Sequence, residues 1–210
     1  MQLNLAREVV AGLNTGHHGC MTRPPNISLT HSNIVQAQAG AIVNAANEGL
    51  VEGGGVCGAI FDAVGNAGGY TQLTDACREI GHCPTGDAVI TPSFGLAAPW
   101  IIHAVGPVWN GPRNVVPSPV TDAHRTQFEE LASTYRSILR VCRENDIKVV
   151  NIPAISTGIY GFPKEVAAAI AVQVCTLEAG DIEVVLYAYS NEDLEILKAA
   201  PSPEALAILG

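Results

Sequence analysis

Two stretches have residue types and spacing suited to ligand chemistry. The first, residues 41–61, reads AIVNAANEGLVEGGGVCGAIF. An apolar run ends at Asn44 and Asn47, the chain crosses Gly53, Gly54 and Gly55, and an apolar helix-like segment resumes at Val56. A strand, a glycine loop and a helix in that order form a floor for a phosphorylated ligand. Glycine lets the backbone approach closely, and the helix N-terminus offers unpaired N–H groups in a favourable dipole. Alone, three glycines read more simply as a tight connection. A second unit of the same type, residues 151–161 (NIPAISTGIYG), changes that reading. Two such units predict one crevice with a wall on either side. Cys57 opens the helix after the first loop, where a thiol pKa can fall and a thiolate can attack. No partner base is evident for it, because His103 reads as a strand residue facing the core.

These loops need a regular frame. Residues 27–30, 41–44, 86–91, 100–105, 148–155 and 182–189 read as strands, the last two nearly all apolar, as strands covered on both faces would be. Helices are expected over 56–65, 70–80, 121–145, from Pro163 onward, and after Ser190. In the longest, Phe128, Leu131, Tyr135, Ile138, Leu139 and Cys142 recur at three- and four-residue steps, leaving Glu129, Glu130, Arg136 and Arg143 outside. Ser190 with Asp193 three residues on is a capping-box variant. Residues 110–119 carry four glycines and prolines and read as an irregular excursion. Alternating strands and helices predict an α/β fold, a mixed and mainly parallel sheet between helical layers. Residues 1–26 read as an N-terminal extension and 27–210 as one domain.

Composition narrows the function. The chain has 210 residues, 48% of them hydrophobic, enough for one α/β core. A formal charge of −9 argues against a phosphate-tracking nucleic-acid surface but not against a small anion held by backbone amides. The six cysteines are scattered, with no pairing or histidine spacing suited to zinc, and His17 and His18 lack a third ligand. No metal or cofactor is expected. No apolar run nears the ~20 residues of a membrane span, and MQLNLAREVV lacks a secretion signal's basic start and long apolar core. A soluble, cytoplasmic, reduced monomer is the expectation.

With both loops placed, the chain resembles a macrodomain, the ADP-ribose-binding α/β/α module. The resemblance rests on Asn44-Ala45-Ala46-Asn47, Gly53-Gly54-Gly55-Val56, Ile102-His103-Ala104-Val105-Gly106-Pro107 and Ile155-Ser156-Thr157-Gly158-Ile159-Tyr160-Gly161, and covers residues 27–199. It is nearest the branch of MacroD-type hydrolases and O-acetyl-ADP-ribose deacetylases. It implies a three-layer fold with a sheet of about six strands and ADP-ribose across its crest. Gly53, Gly54, Gly55 and Val56 would lie along the distal ribose and diphosphate, with Ala46 and Cys57 beside them. Ser156, Thr157, Gly158 and Ile159 would cover the diphosphate from the other side. Asn47 would bond the distal ribose and Tyr160 pack against it. With Gly55, these two form the implied catalytic set. Tyr189 would lie against adenine, with Asn33 and Ile34 at its edge.

Two departures from the family pattern matter. Ser32-Asn33-Ile34 stands where the family usually has Gly-Asp-Ile, so Asn33 keeps an acceptor for the adenine amino group but loses its charge. Cys57 and Phe61 replace an Asp and a His that MacroD-type enzymes often carry. Hydrolysis would then use water held by Asn47 and backbone groups, with a substrate phosphate oxygen as base; attack by Cys57 is the other mechanism. The resemblance thus implies an enzyme releasing mono-ADP-ribose from modified proteins, most plausibly from Asp or Glu esters, or deacetylating O-acetyl-ADP-ribose. A non-catalytic ADP-ribose reader is the alternative. A third reading, RNA or poly(A) binding, is opposed by the acidic charge.

Overall fold

The structure, a computed structural model, describes residues 26–200. Residues 1–25 of the expected N-terminal extension, His17 and His18 among them, lie outside that range. The described chain runs β1 (Ile27–His31), a 3-10 turn (Ile34–Gln36), β2 (Ala41–Ala45), α1 (Val56–Asn66), α2 (Tyr70–Ile80), β3 (Ala88–Pro92), β4 (Trp100–Ala104), α3 (Asp122–Glu144), β5 (Val149–Pro153), α4 (Lys164–Glu178), β6 (Glu183–Ala188) and α5 (Asn191–Ala199). All six expected strands form one sheet in the order β1-β6-β5-β2-β4-β3. Only the β3–β4 pair is antiparallel.

Period-two alternation in the central strands sorts side chains to the two faces. Ala41, Val43 and Ile102 join the larger core under α3, α4 and α5, which also holds Leu131, Ile138 and Leu139. Ile42 and Ile101 face the smaller core with Ile60, Phe61 and Leu73 from α1 and α2. Burying a large aliphatic or aromatic side chain contributes about 1.5–3 kcal/mol, so the three layers hold by this pattern. The same alternation turns Asn44, Thr91 and His103 toward the smaller core, where each is at most 3% exposed.

Helix ends follow local chemistry. Ser190 Oγ accepts from the Asp193 amide at 3.1 Å, as expected for the last helix. Thr121 and His124 cap α3 reciprocally, His124 Nδ1 taking the role that Glu usually fills. Pro163 sits at the N-cap of α4 rather than inside its first turn, where its missing N–H costs nothing.

The sheet order positions the site. From β2 the chain goes first to the edge strand β3, turns back into β4 beside β2, then crosses to β5 on the other flank of β2. This reversal between adjacent parallel strands is where α/β sheets open a crevice at their carboxyl ends. The two glycine-containing loops follow β2 and β5, so they face each other across it.

Candidate functional site

A cleft of about 880 Å³ opens at the carboxyl ends of the parallel strands. Its lining comes from the residues after β1 (His31 to Ile34), β2 (Ala45 to Asn47), the loop into α1 (Gly53 to Cys57), Gly106 after β4, the loop after β5 (Pro153 to Tyr160), and Tyr187 to Tyr189. Every site residue expected from sequence lines this one cleft. The size suits a ligand of several rings rather than a bare ion. Among the described residues no Asp or Glu lines it.

Each loop forms a lip rich in backbone donors. On the first, Gly55 adopts φ 63° and ψ −136°, which a side chain would strain, and this bend delivers the chain into α1. The amides of Gly54, Gly55 and Val56 have no protein acceptor among the described residues. On the second lip the carbonyls are tied away. Ser156 O accepts from Phe162 N at 3.0 Å, Gly158 O from Gly161 N at 3.1 Å, and Tyr160 O from Trp109 N at 2.9 Å. The amides of Thr157, Gly158, Ile159 and Tyr160 likewise have no protein acceptor among the described residues. Ser156, only 6% exposed and at φ 64°, leaves its Oγ unbonded as well. A Cβ on Gly54 would stand 3.0 Å from Ile159 Cδ1, so the lips nearly meet over the cleft. Two opposed rows of free amides form a nest for an extended anion such as a diphosphate.

The side chains expected to act divide into free and committed ones. Asn47 is committed to its own loop: its Nδ2 donates to Val51 O at 2.8 Å and its Oδ1 accepts from Val51 N at 3.2 Å. Each atom retains a second hydrogen-bonding position. Asn33 Oδ1 caps the 3-10 turn by accepting from Val35 N at 3.3 Å, and Ile34 is buried beside it. Tyr189 is 91% exposed at the cleft mouth, an open aromatic face. Tyr160 is half-buried, and burial pushes its hydroxyl pKa up, with Glu48 and Cys57 adding to the shift.

Cys57 does not have a lowered pKa. It is 3% exposed, and burial pushes its thiol up, outweighing the Gly53 amide and the Asn44 side chain that pull it down. The helix N-terminus thus fails to produce the thiolate that its position suggested, because desolvation opposes the charge. Beneath it, Asn44 Nδ2 donates to His103 Nδ1 at 3.1 Å, leaving His103 Nε2–H for Thr91 Oγ1 at 3.0 Å. Burial lowers the His103 pKa to about 4, so the ring is neutral. Phe61 packs in the core against Tyr70, whose hydroxyl donates to Glu52 at 2.6 Å.

Sequence reading missed several participants. His31 and Tyr187 line the cleft, and His31 Nδ1 is hydrogen-bonded to Asn191 Oδ1 at the start of α5. Gly106 lines it under the second lip, where a Cβ would stand 2.3 Å from Ser156 Oγ. Its place in the Ile102–Pro107 motif was the available signal. Arg113, whose Nη2 donates to Gly158 O at 2.8 Å, had none.

With the geometry in view, the comparisons agree. The Macro domain model matches residues 43–171. The chain belongs to the Macro domain family. It is 44% identical over 152 residues to an O-acetyl-ADP-ribose deacetylase of Enterobacter cloacae subsp. cloacae, covering 70% of this chain and 76% of that protein. It is 43% identical over 145 residues to the ADP-ribose glycohydrolase MACROD2 of Xenopus laevis, covering 69% of this chain but 31% of that longer protein. The Oceanobacillus iheyensis macrodomain with ADP aligns at a TM-score of 0.70 and 35% identity, over 82% of this chain and 87% of that one. Other relatives carry only the domain's name. Among the described residues no helix is long and apolar enough to cross a membrane, and no group of His, Cys, Asp or Glu is placed to hold a metal ion.

Proposed function

We propose that this macrodomain binds ADP-ribose along the cleft and hydrolyses mono-ADP-ribose from modified protein side chains, Asp and Glu esters foremost, or the acetyl ester of O-acetyl-ADP-ribose. The observation that carries this is the pair of facing amide rows, which fit a diphosphate and need no cation. The names of the deacetylase and glycohydrolase relatives support the enzymatic half. Adenine would lie at Asn33, Ile34 and Tyr189, and the distal ribose between Asn47 and Tyr160.

With no carboxylate lining the cleft, the base comes from the substrate. Water held by the free positions of Asn47 and by lip amides attacks the anomeric carbon. The bond from that carbon to the ester oxygen breaks through an oxocarbenium-like state, the protein's carboxylate leaves, and the water proton passes to a diphosphate oxygen. The lip amides stabilise the anion throughout. Cys57, neutral and buried, packs under the first lip and takes no bond to the substrate.

Cys57 and Phe61 in place of an acid and a base favour the second reading, a reader that binds without releasing. Incubation with a mono-ADP-ribosylated transferase carrying labelled ADP-ribose separates the two. Release of label that survives Cys57→Ala and fails in Asn47→Ala is the expected pattern. Binding without release makes the protein a reader, and failure to bind free ADP-ribose removes both readings.

A further inference from the structure

The second lip is braced from outside. The excursion after β4 is anchored by Trp109, 6% exposed, whose ring centroid lies 5.0 Å from that of Phe162 and 6.2 Å from that of Phe128. Trp109 Nε1 donates to Pro112 O at 3.1 Å, which folds the next turn back over the indole. That turn presents donors to the lip: Trp109 N to Tyr160 O, Asn114 N to Gly161 O at 2.8 Å, and Arg113 Nη2 to Gly158 O at 2.8 Å. Asn114 Oδ1 also accepts from Lys164 N at 2.9 Å, fixing the excursion to the start of α4. Arg113 is exposed, does not line the cleft, and pairs with no carboxylate among the described residues.

Peptide planarity turns this outer contact into an inner one. The carbonyl of Gly158 and the N–H of Ile159 belong to one trans plane and point in opposite directions. Glycine at 158 removes the side chain that would resist a flip of this peptide. Flipped, the carbonyl would face the anion and the amide would be lost to it. Gly161 N fills one acceptor position of Gly158 O, and the guanidinium fills the other with a charge-assisted bond. That bond also polarises the peptide and strengthens its N–H as a donor.

We infer that Arg113 is a positioning residue for diphosphate recognition, pinning the Gly158–Ile159 peptide so that the Ile159 amide faces the cleft. This rests on the reading of the cleft as an ADP-ribose site. The test is calorimetry on the full chain, with ADP-ribose, ADP and adenosine as ligands, for the wild type, Arg113→Ala and Arg113→Lys. Arg113→Ala should weaken ADP-ribose and ADP roughly fivefold to twentyfold, leave adenosine and the thermal midpoint unchanged, and keep its deficit at high salt. Arg113→Lys, which can still reach the carbonyl, should recover part of the loss. Equal binding of ADP-ribose by wild type and Arg113→Ala overturns the inference, as does equal loss of adenosine. A deficit that disappears at high salt overturns it too, by assigning the residue to long-range attraction. No ADP-ribose binding by the wild type overturns instead the reading of the cleft.

Discussion

The two lips offer similar rows of amides, but they are shaped by different means. The first depends on its own backbone: Gly55 sits at φ 63°, a Cβ there would meet nothing within 4 Å, and α1 continues from it. Beneath it lies a buried polar chain, Asn44 to His103 to Thr91. The second depends on neighbours distant in sequence, with Trp109, Arg113 and Asn114 outside it and Gly106 below. One lip is set by conformation over a titratable floor, the other by a brace of residues distant in sequence, with Arg113 its only charged member. The two should therefore fail under different perturbations.

Acid should reveal the floor. His103 is neutral in the fold, with a pKa of about 4, but takes up a proton below about 6.5 once unfolded. Between these values the unfolded chain binds more protons, so folding stability is complete above about pH 6.5 and is lost as pH falls toward 4. The loss approaches roughly 3 kcal/mol. Its polar neighbours, Asn44, Thr91 and Cys77, do not change charge in this window, and burial pushes the Cys77 thiol up to about 11. Urea unfolding from pH 7.5 down to 4.5 should show the decline. In His103→Gln, whose amide can keep both hydrogen bonds, it should flatten; an equal slope in both proteins would place the titration elsewhere.

Single alanines distinguish the lips next. Gly55→Ala forces a strained backbone, worth about 1–3 kcal/mol, but the exposed loop can move to relieve it. Affinity for ADP-ribose should fall about tenfold to a hundredfold while the thermal midpoint hardly moves. Gly106→Ala puts a methyl 2.3 Å from Ser156 Oγ and 2.6 Å from Ile155 Cγ2, in a packed interior that cannot yield. Overpacking of this kind costs about 1–3 kcal/mol. Here the thermal midpoint should fall by several degrees together with affinity. The reverse pattern would break the distinction.

What could be read from sequence follows the same division. The strands, the helices and the first lip are local: apolar runs, three- and four-residue steps, and a glycine loop before a helix each declare themselves in a short window. Asn44 and His103 were recognisable only as strand residues, because their pairing depends on β2 and β4 lying side by side in register. The brace was illegible. A segment with four glycines and prolines in ten residues reads as irregular, and nothing in it announces that Arg113 meets Gly158, 45 positions on. Cys57 misled for an electrostatic reason: its place at a helix start is visible in sequence, whereas the burial that outweighs the dipole is not.

The smallest expected effect tests the adenine end, outside both lips. Asn33 Oδ1 already accepts from Val35 N at 3.3 Å, as an N-cap should, and the residue lines the cleft. Asn33→Asp keeps that bond, since carboxylates cap equally well, and adds a charged acceptor facing the position proposed for the adenine amino group. The gain is limited because the site is open to water, and charge-assisted bonds at exposed positions are screened. Calorimetry with ADP-ribose should show tightening of roughly twofold to fivefold, repeated with adenosine, because the change lies at the base and not at the diphosphate. Tightening for ADP-ribose alone would move the effect toward the lips, and no change with either ligand would mean that Asn33 does not touch adenine.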